Sequence, residues 1–220
     1  MTGNTALDQA PTRKKLLHQR AYEIDAYIED SEHLRLIGTM KDVRPDGLWG
    51  IDDTEPMTLH DMRIELVING TTFAITKVET SMFTHPQDYC PLILPIFQEL
   101  VGTSIARGFG NRVKMLFGGP RSCTHFVALL NAMAPVAMQA RWSFFHSVND
   151  GTMADQSTDP EALASRMRAG HEANRDTCHV WASDGPMFAA LAAGEKFTPP
   201  LWAKDRLAER GIAPEAWQAW

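Results

Sequence analysis

The chain has 220 residues, of which 44% are hydrophobic and 22% charged, enough to bury the core of one domain with additions. Its net charge of −6 and its one short basic cluster, Arg13-Lys14-Lys15, argue against nucleic acid or an anionic membrane as partner. No run approaches the ~20 apolar residues of a membrane span, and three scattered cysteines make no disulfide framework, so a cytoplasmic protein is expected.

Residues 1–18 are polar, without the apolar segment of a secretory signal, and are expected to form a flexible arm. From there to about residue 83 the apolar residues recur every second position. "AYEIDAYIED" sets Tyr22, Ile24, Ala26 and Ile28 on one face, and "HLRLIGTMKDV" does the same with Leu34, Leu36 and Met40. "TLHDMRIELVIN" aligns Met62, Ile64, Leu66 and Ile68, with Arg63 and Glu65 opposite. Asn69-Gly70 is a two-residue hairpin signal leading into "TTFAITKVETSMF". About four antiparallel strands over residues 20–83 follow, with one apolar face.

After Cys90 the period becomes that of helices. "PLILPIFQELVGTSIARGF" is predicted helical, with Asp88 as a cap and a late start or kink at Pro95. "NRVKMLFGG" is a short helix capped by Asn111 and ended by its glycines. "CTHFVALLNAMAPVAMQARWSFF" is the longest, kinked near Pro135. Helices over 90–147 would cover the apolar face of the sheet, an α+β fold. "TDPEALASRMRAG" begins and stops like a capped helix, "DTCHVWASDGPM" reads as a loop or short strand, and "PPLWAKDRLAERG" and "APEAWQAW" as short helices. The expected organisation is one domain over 19–190 and a helical tail over 191–220. Trp202, Trp217 and Trp220 of that tail would pack on the body or on a second subunit, giving a homodimer.

His60 shares strand parity with Met62, Ile64, Leu66 and Ile68, which turns it toward the core side, while Asp61 points the other way unless a bulge intervenes. It is either a hydrogen-bonded core histidine or the floor of a pocket. His85, Asp88, Tyr89 and Cys90 gather where the last strand meets the first helix, a natural place for polar groups beside an apolar pocket. Cys123 and His125 lie two apart and can face one object only if Cys123 sits in the cap region. There the helix end would favour a thiolate or an anion, with Arg121 beside it; a buried cysteine is otherwise a small hydrophobe. Met115, Met133 and Met138, with Phe117 and Phe126, would fill a core or line a cavity for a flat aromatic ligand. No Walker loop, no G-x-G-x-x-G after a strand and no G-x-S-x-G elbow occurs, so nucleotide cofactors and serine-hydrolase chemistry are not expected.

"HDM" at 60–62, "DYC" at 88–90, "LVGTSIARGF" at 100–109, "GGPRSCTHFVALL" at 118–130 and "DTCHVWASDGP" at 176–186 resemble a bacterial family known as domain of unknown function 2889. The resemblance spans roughly residues 16–190, and Cys-Thr-His is its most specific element. Ser122 stands where the family pattern has a glycine before that element. The family name carries no activity.

Three functional expectations follow from the residues, the last of them a non-catalytic binding module that dimerises through its tryptophan-rich tail. The first is an enzyme of lyase or isomerase type, without an organic cofactor, acting on a small aromatic or apolar molecule in a catabolic pathway. His60 and His125 exchange protons in it, and Asp61 or Asp88 serves as carboxylate partner. Tyr89, Arg121 and the helix end at Cys123 steady negative charge, and His85, Phe126 and Met133 bind substrate. Release of formaldehyde from a lignin-derived aromatic dimer is its concrete form. The second is a zinc or iron–sulfur protein using Cys90, Cys123, Cys178 and His125, although no Cys-x-x-Cys pair is present.

Overall fold

A computed structural model describes residues 15–47, 52–148, 160–195 and 201–213. The chain divides into two units, residues 1–150 and 151–220. The helices after residue 160 fall in the second of these units.

The first unit is an antiparallel sheet of four strands in chain order: β1 (Gln19–Ile28), β2 (His33–Arg44), β3 (Met57–Asn69) and β4 (Ile75–Thr84). The alternation read from sequence is realised in burial. Leu34, Leu36 and Met40 of β2 and Met62, Ile64, Leu66 and Ile68 of β3 are at most 2% exposed, so one face of the sheet is core. β1 is the weaker contributor: Ile24 and Ala26 pack against the core, whereas Tyr22 and Ile28 stay exposed. The opposite face carries ion pairs, among them Arg35 with Glu29 and Glu65 and Lys41 with Asp61.

Helices cover the apolar face, giving an α+β fold. α1 (Phe109–Phe117) packs against α2 (Thr124–Val148), and α2 lies across β1, β2 and β3. α2 contains Pro135, as expected. Residues Cys90–Leu100 are instead a 3-10 helix. Pro91 and Pro95 each lack an N–H, so the α-helical ladder loses donors within its first two turns and the tighter winding takes over. Its N-cap is Tyr89, not Asp88. α1 starts two residues before Asn111, after Gly108 at φ 84; the left-handed cap is open to glycine at little cost.

The β3–β4 connection is longer than the Asn-Gly signal implies. Oδ1 of Asn69 accepts from the N–H groups of Thr71 and Thr72 and from the Thr72 hydroxyl, an Asx turn that postpones β4 to Ile75. Phe73 takes φ 59 there; its ring is buried and Arg141 of α2 stacks over it at 5.3 Å, contacts that offset the backbone cost. Gly70 serves close packing. A Cβ on it would collide with the ring of Phe144 at Cε1 and Cδ1. Gly70→Ala is therefore expected to lower unfolding free energy by about 2 kcal/mol, as overpacking does, measured by urea denaturation.

The second unit holds α3 (Pro160–Asn174), α4 (Pro186–Ala192) and α5 (Leu201–Glu209). α3 runs through Gly170, and the segment read as a loop or strand is a 3-10 turn at His179–Trp181 leading to α4. Arg175 stacks over Phe188 at 3.9 Å. Residues 1–14 of the expected arm, the Trp202 side chain, and Trp217 and Trp220 lie outside the described residues. Among the described residues no helix is long and apolar enough to cross a membrane.

Candidate functional site

Asp42 is the one charged side chain buried among the described residues, at 1% exposure. It follows Met40 by two positions on β2 and so occupies the core face of the sheet. Its cross-strand partners are Arg20 on β1 and His60 on β3, which makes a polar row over three strands where the apolar rows end. A register shift between Asp42 and Val43 leaves Leu59 as the extra residue of β3 beside His60, the kind of bulge that re-aims side chains at the rim of a sheet.

Arg20 grips Asp42 through Nε to Oδ1 and Nη2 to Oδ2, both 2.6 Å, the bidentate fork that suits a carboxylate. His18 approaches Oδ1 at 3.4 Å, and His60 Nδ1 lies 3.0 Å from Oδ2. From the other layer, His125 on the first turn of α2 brings Nε2 to 3.6 Å from Oδ2. The His60 and His125 rings are in contact, with centroids 4.0 Å apart and planes tilted by 37°. Sheet and helix therefore do bring these two imidazoles to one place. Gly38 helps: with no Cβ on β2, Met133 of α2 comes down onto the strand.

Burial works to raise the pKa of Asp42, but the hydrogen bonds and charge of Arg20, aided by His18 and His125, pull it down to about 2. An ionised carboxylate only accepts. Nδ1 of His60 must then carry a proton and donate to Oδ2, which turns Nε2 away from the carboxylate. His125 is held neutral below its ordinary range, first by burial, then by His60 and Arg20, with Asp42 opposing. Two imidazoles in contact thus sit beside one fixed negative charge.

The carboxylate partner is Asp42, where the sequence reading expected Asp61 or Asp88. Asp61 lies on the opposite face, 3.7 Å from Lys41, and Asp88 is exposed, as is Tyr89 at 79%. His85 bonds to the Gln87 carbonyl, and exposed Arg121 donates to the Lys114 carbonyl at the end of α1. Phe126 and Met133 are fully buried, Phe126 against Phe97 at 4.8 Å, so they support the site from inside the core and offer no surface to a substrate. Cys123 does belong: its Sγ is 3.5 Å from Nδ1 of His125. Ser122 has φ −156, ordinary extended backbone, which explains why serine serves where the family pattern has glycine.

Asp42, His60 and His125 each offer a ligand atom, all within 4.8 Å of one another, a spacing open to a cation. Arg20 already occupies both oxygens of Asp42, and a guanidinium at that distance repels a metal ion. The expected thiol-rich set is not assembled in the first unit, whose close donor group among the described residues contains neither Cys90 nor Cys123. Cys178 is exposed in the second unit.

The class defined by this fold and site is an α+β protein carrying a carboxylate-anchored histidine pair at one end of its sheet. The chain belongs to the family described as proteins of unknown function (DUF2889), whose profile matches residues 18–139. That match opens on His18 and takes in Arg20, Asp42, His60, Cys123 and His125, but ends before the "DTCHVWASDGP" segment. No curated protein and no solved structure matches the chain.

Proposed function

We propose that the protein is an acid–base enzyme of lyase or isomerase type, working on a small aromatic or apolar molecule without an organic cofactor or metal. The observation that carries this reading is the pair of imidazoles in ring contact, anchored to a buried carboxylate that Arg20 keeps ionised. One ring can take a proton while the other returns one, and both are partly exposed, at 15% and 22%. The next row of the sheet is the Met40–Met62 pair, fully buried, so the polar row stands directly against an apolar core. Three free thiols suit a reducing cytoplasm.

The concrete reaction is loss of a hydroxymethyl group as formaldehyde from an aromatic dimer of lignin type. One imidazole takes the hydroxyl proton and becomes an imidazolium, the carbon–carbon bond breaks as the carbonyl forms, and that same proton, passed across the ring contact, is delivered to the carbon left behind. His60→Asn and His125→Asn should each lower formaldehyde release from such a dimer by about 100-fold, with circular dichroism unchanged. Full rates in both variants would exclude the mechanism, and a rate abolished by EDTA would exclude its metal-free form.

A further inference from the structure

Cys123 immediately precedes α2, and its carbonyl accepts the first helical bond from the Val127 N–H at 3.1 Å. It is therefore the cap residue, free of the geometry that turns interior i, i+2 side chains apart. Its Sγ faces Nδ1 of His125 at 3.5 Å, while Nε2 of that ring faces Asp42 at 3.6 Å. Thiol, imidazole and carboxylate stand in line, each ring nitrogen serving one neighbour. Because Asp42 only accepts, it favours the proton on Nε2 and leaves the Nδ1 lone pair for the S–H. A nucleophile within reach of a base, itself oriented by a third group, is the arrangement of covalent catalysis. One residue earlier, the buried Oγ of Ser122 has no hydrogen-bond partner.

We infer that Cys123 is a covalent nucleophile, its proton taken by His125, and that it captures a small aldehyde at the mouth of α2. The S–H proton moves to Nδ1 as the carbon–sulfur bond forms. The carbonyl π pair passes to oxygen, which then takes the same proton back from Nδ1. The product is a hemithioacetal, and neither oxidant nor reductant is consumed. The first-turn N–H groups of α2 are donors available to the forming alkoxide. The identity of the aldehyde rests on the proposed reaction, which releases one; the reactivity of the thiol does not.

The test is alkylation of the whole protein with iodoacetamide at neutral pH, followed at each cysteine by peptide mass spectrometry. Here sulfur displaces iodide and the thiol proton again goes to His125. Cys123 should react about ten-fold faster than Cys90 and than the exposed Cys178, and His125→Asn should remove that advantage. Millimolar formaldehyde should protect Cys123 in wild type and in His60→Asn alike. Equal rates at Cys123 and Cys178 in the wild-type protein would overturn the nucleophile with no variant needed. Fast alkylation without protection would overturn the aldehyde. Loss of formaldehyde release in His60→Asn with Cys123 still reactive keeps this inference separate from the acid–base reaction.

Discussion

Arg20→Met should lower the unfolding free energy at pH 7 by about 2 kcal/mol. The substitution keeps most of the side-chain volume and leaves Asp42 buried with its strongest partner gone. Breaking a fully buried ion pair costs about 3–5 kcal/mol, but Arg20 is 35% exposed, so solvent already screens part of the attraction. The depression of the Asp42 pKa from 3.8 to about 2 corresponds to a similar magnitude. A carboxylate with a depressed folded-state pKa contributes stability above its unfolded value, lost as pH falls through the folded one. The wild-type advantage should therefore be full above pH 4 and shrink between about 4 and 2. Denaturation series at several pH values measure it; a gap that does not change with pH would mean that Arg20 contributes by packing alone.

The sheet was legible because one buried face imposes strict alternation, and the residues that carry it, from Leu34 to Ile68, are the ones the core uses. The same rule contained the site. Asp42 is the next same-face position after Met40, and Arg20 and His18 precede Tyr22 by two and four. Extending each strand's parity past its last apolar residue would have placed all three beside His60. What parity cannot supply is strand order and register, and Asp42 becomes a partner of His60 only when β2 and β3 pair as they do. Asp61 looked the nearer carboxylate because adjacency in sequence is misleading on a strand, where neighbours face opposite sides.

The helical half was less legible for a different reason. Pro95 signalled a late start or a kink, but the choice between a kink and a 3-10 winding depends on what the freed groups find. Here the segment fastens to the free edge of β4, with the Gln98 amide donating to the Val78 carbonyl and Thr80 to the Leu94 carbonyl. It thereby covers an edge that would otherwise invite pairing. Such long-range bonds have no local signature.

Asp42→Asn should cost about 1,000-fold in kcat for formaldehyde release, the larger of the effects expected on turnover. Asparagine fills the same space, but its amide cannot accept at both ends. With its oxygen held by Arg20, the NH2 group faces Nδ1 of His60 and must donate to it. That moves the ring's own proton to Nε2, where the base should be, so the imidazole is present in the wrong tautomer. Losing an orienting carboxylate in this way costs up to about 10,000-fold in serine proteases, and two rings in contact that share the load should lose somewhat less. His125 also loses the charge that opposes its other neighbours, so its protonated form becomes scarcer still. Asp61→Asn is the control, since Asp61 faces Lys41 on the far side of the sheet, and it should leave turnover unchanged. If instead Asp61→Asn matched the loss in Asp42→Asn, the row Arg20–Asp42–His60 would not be the catalytic one.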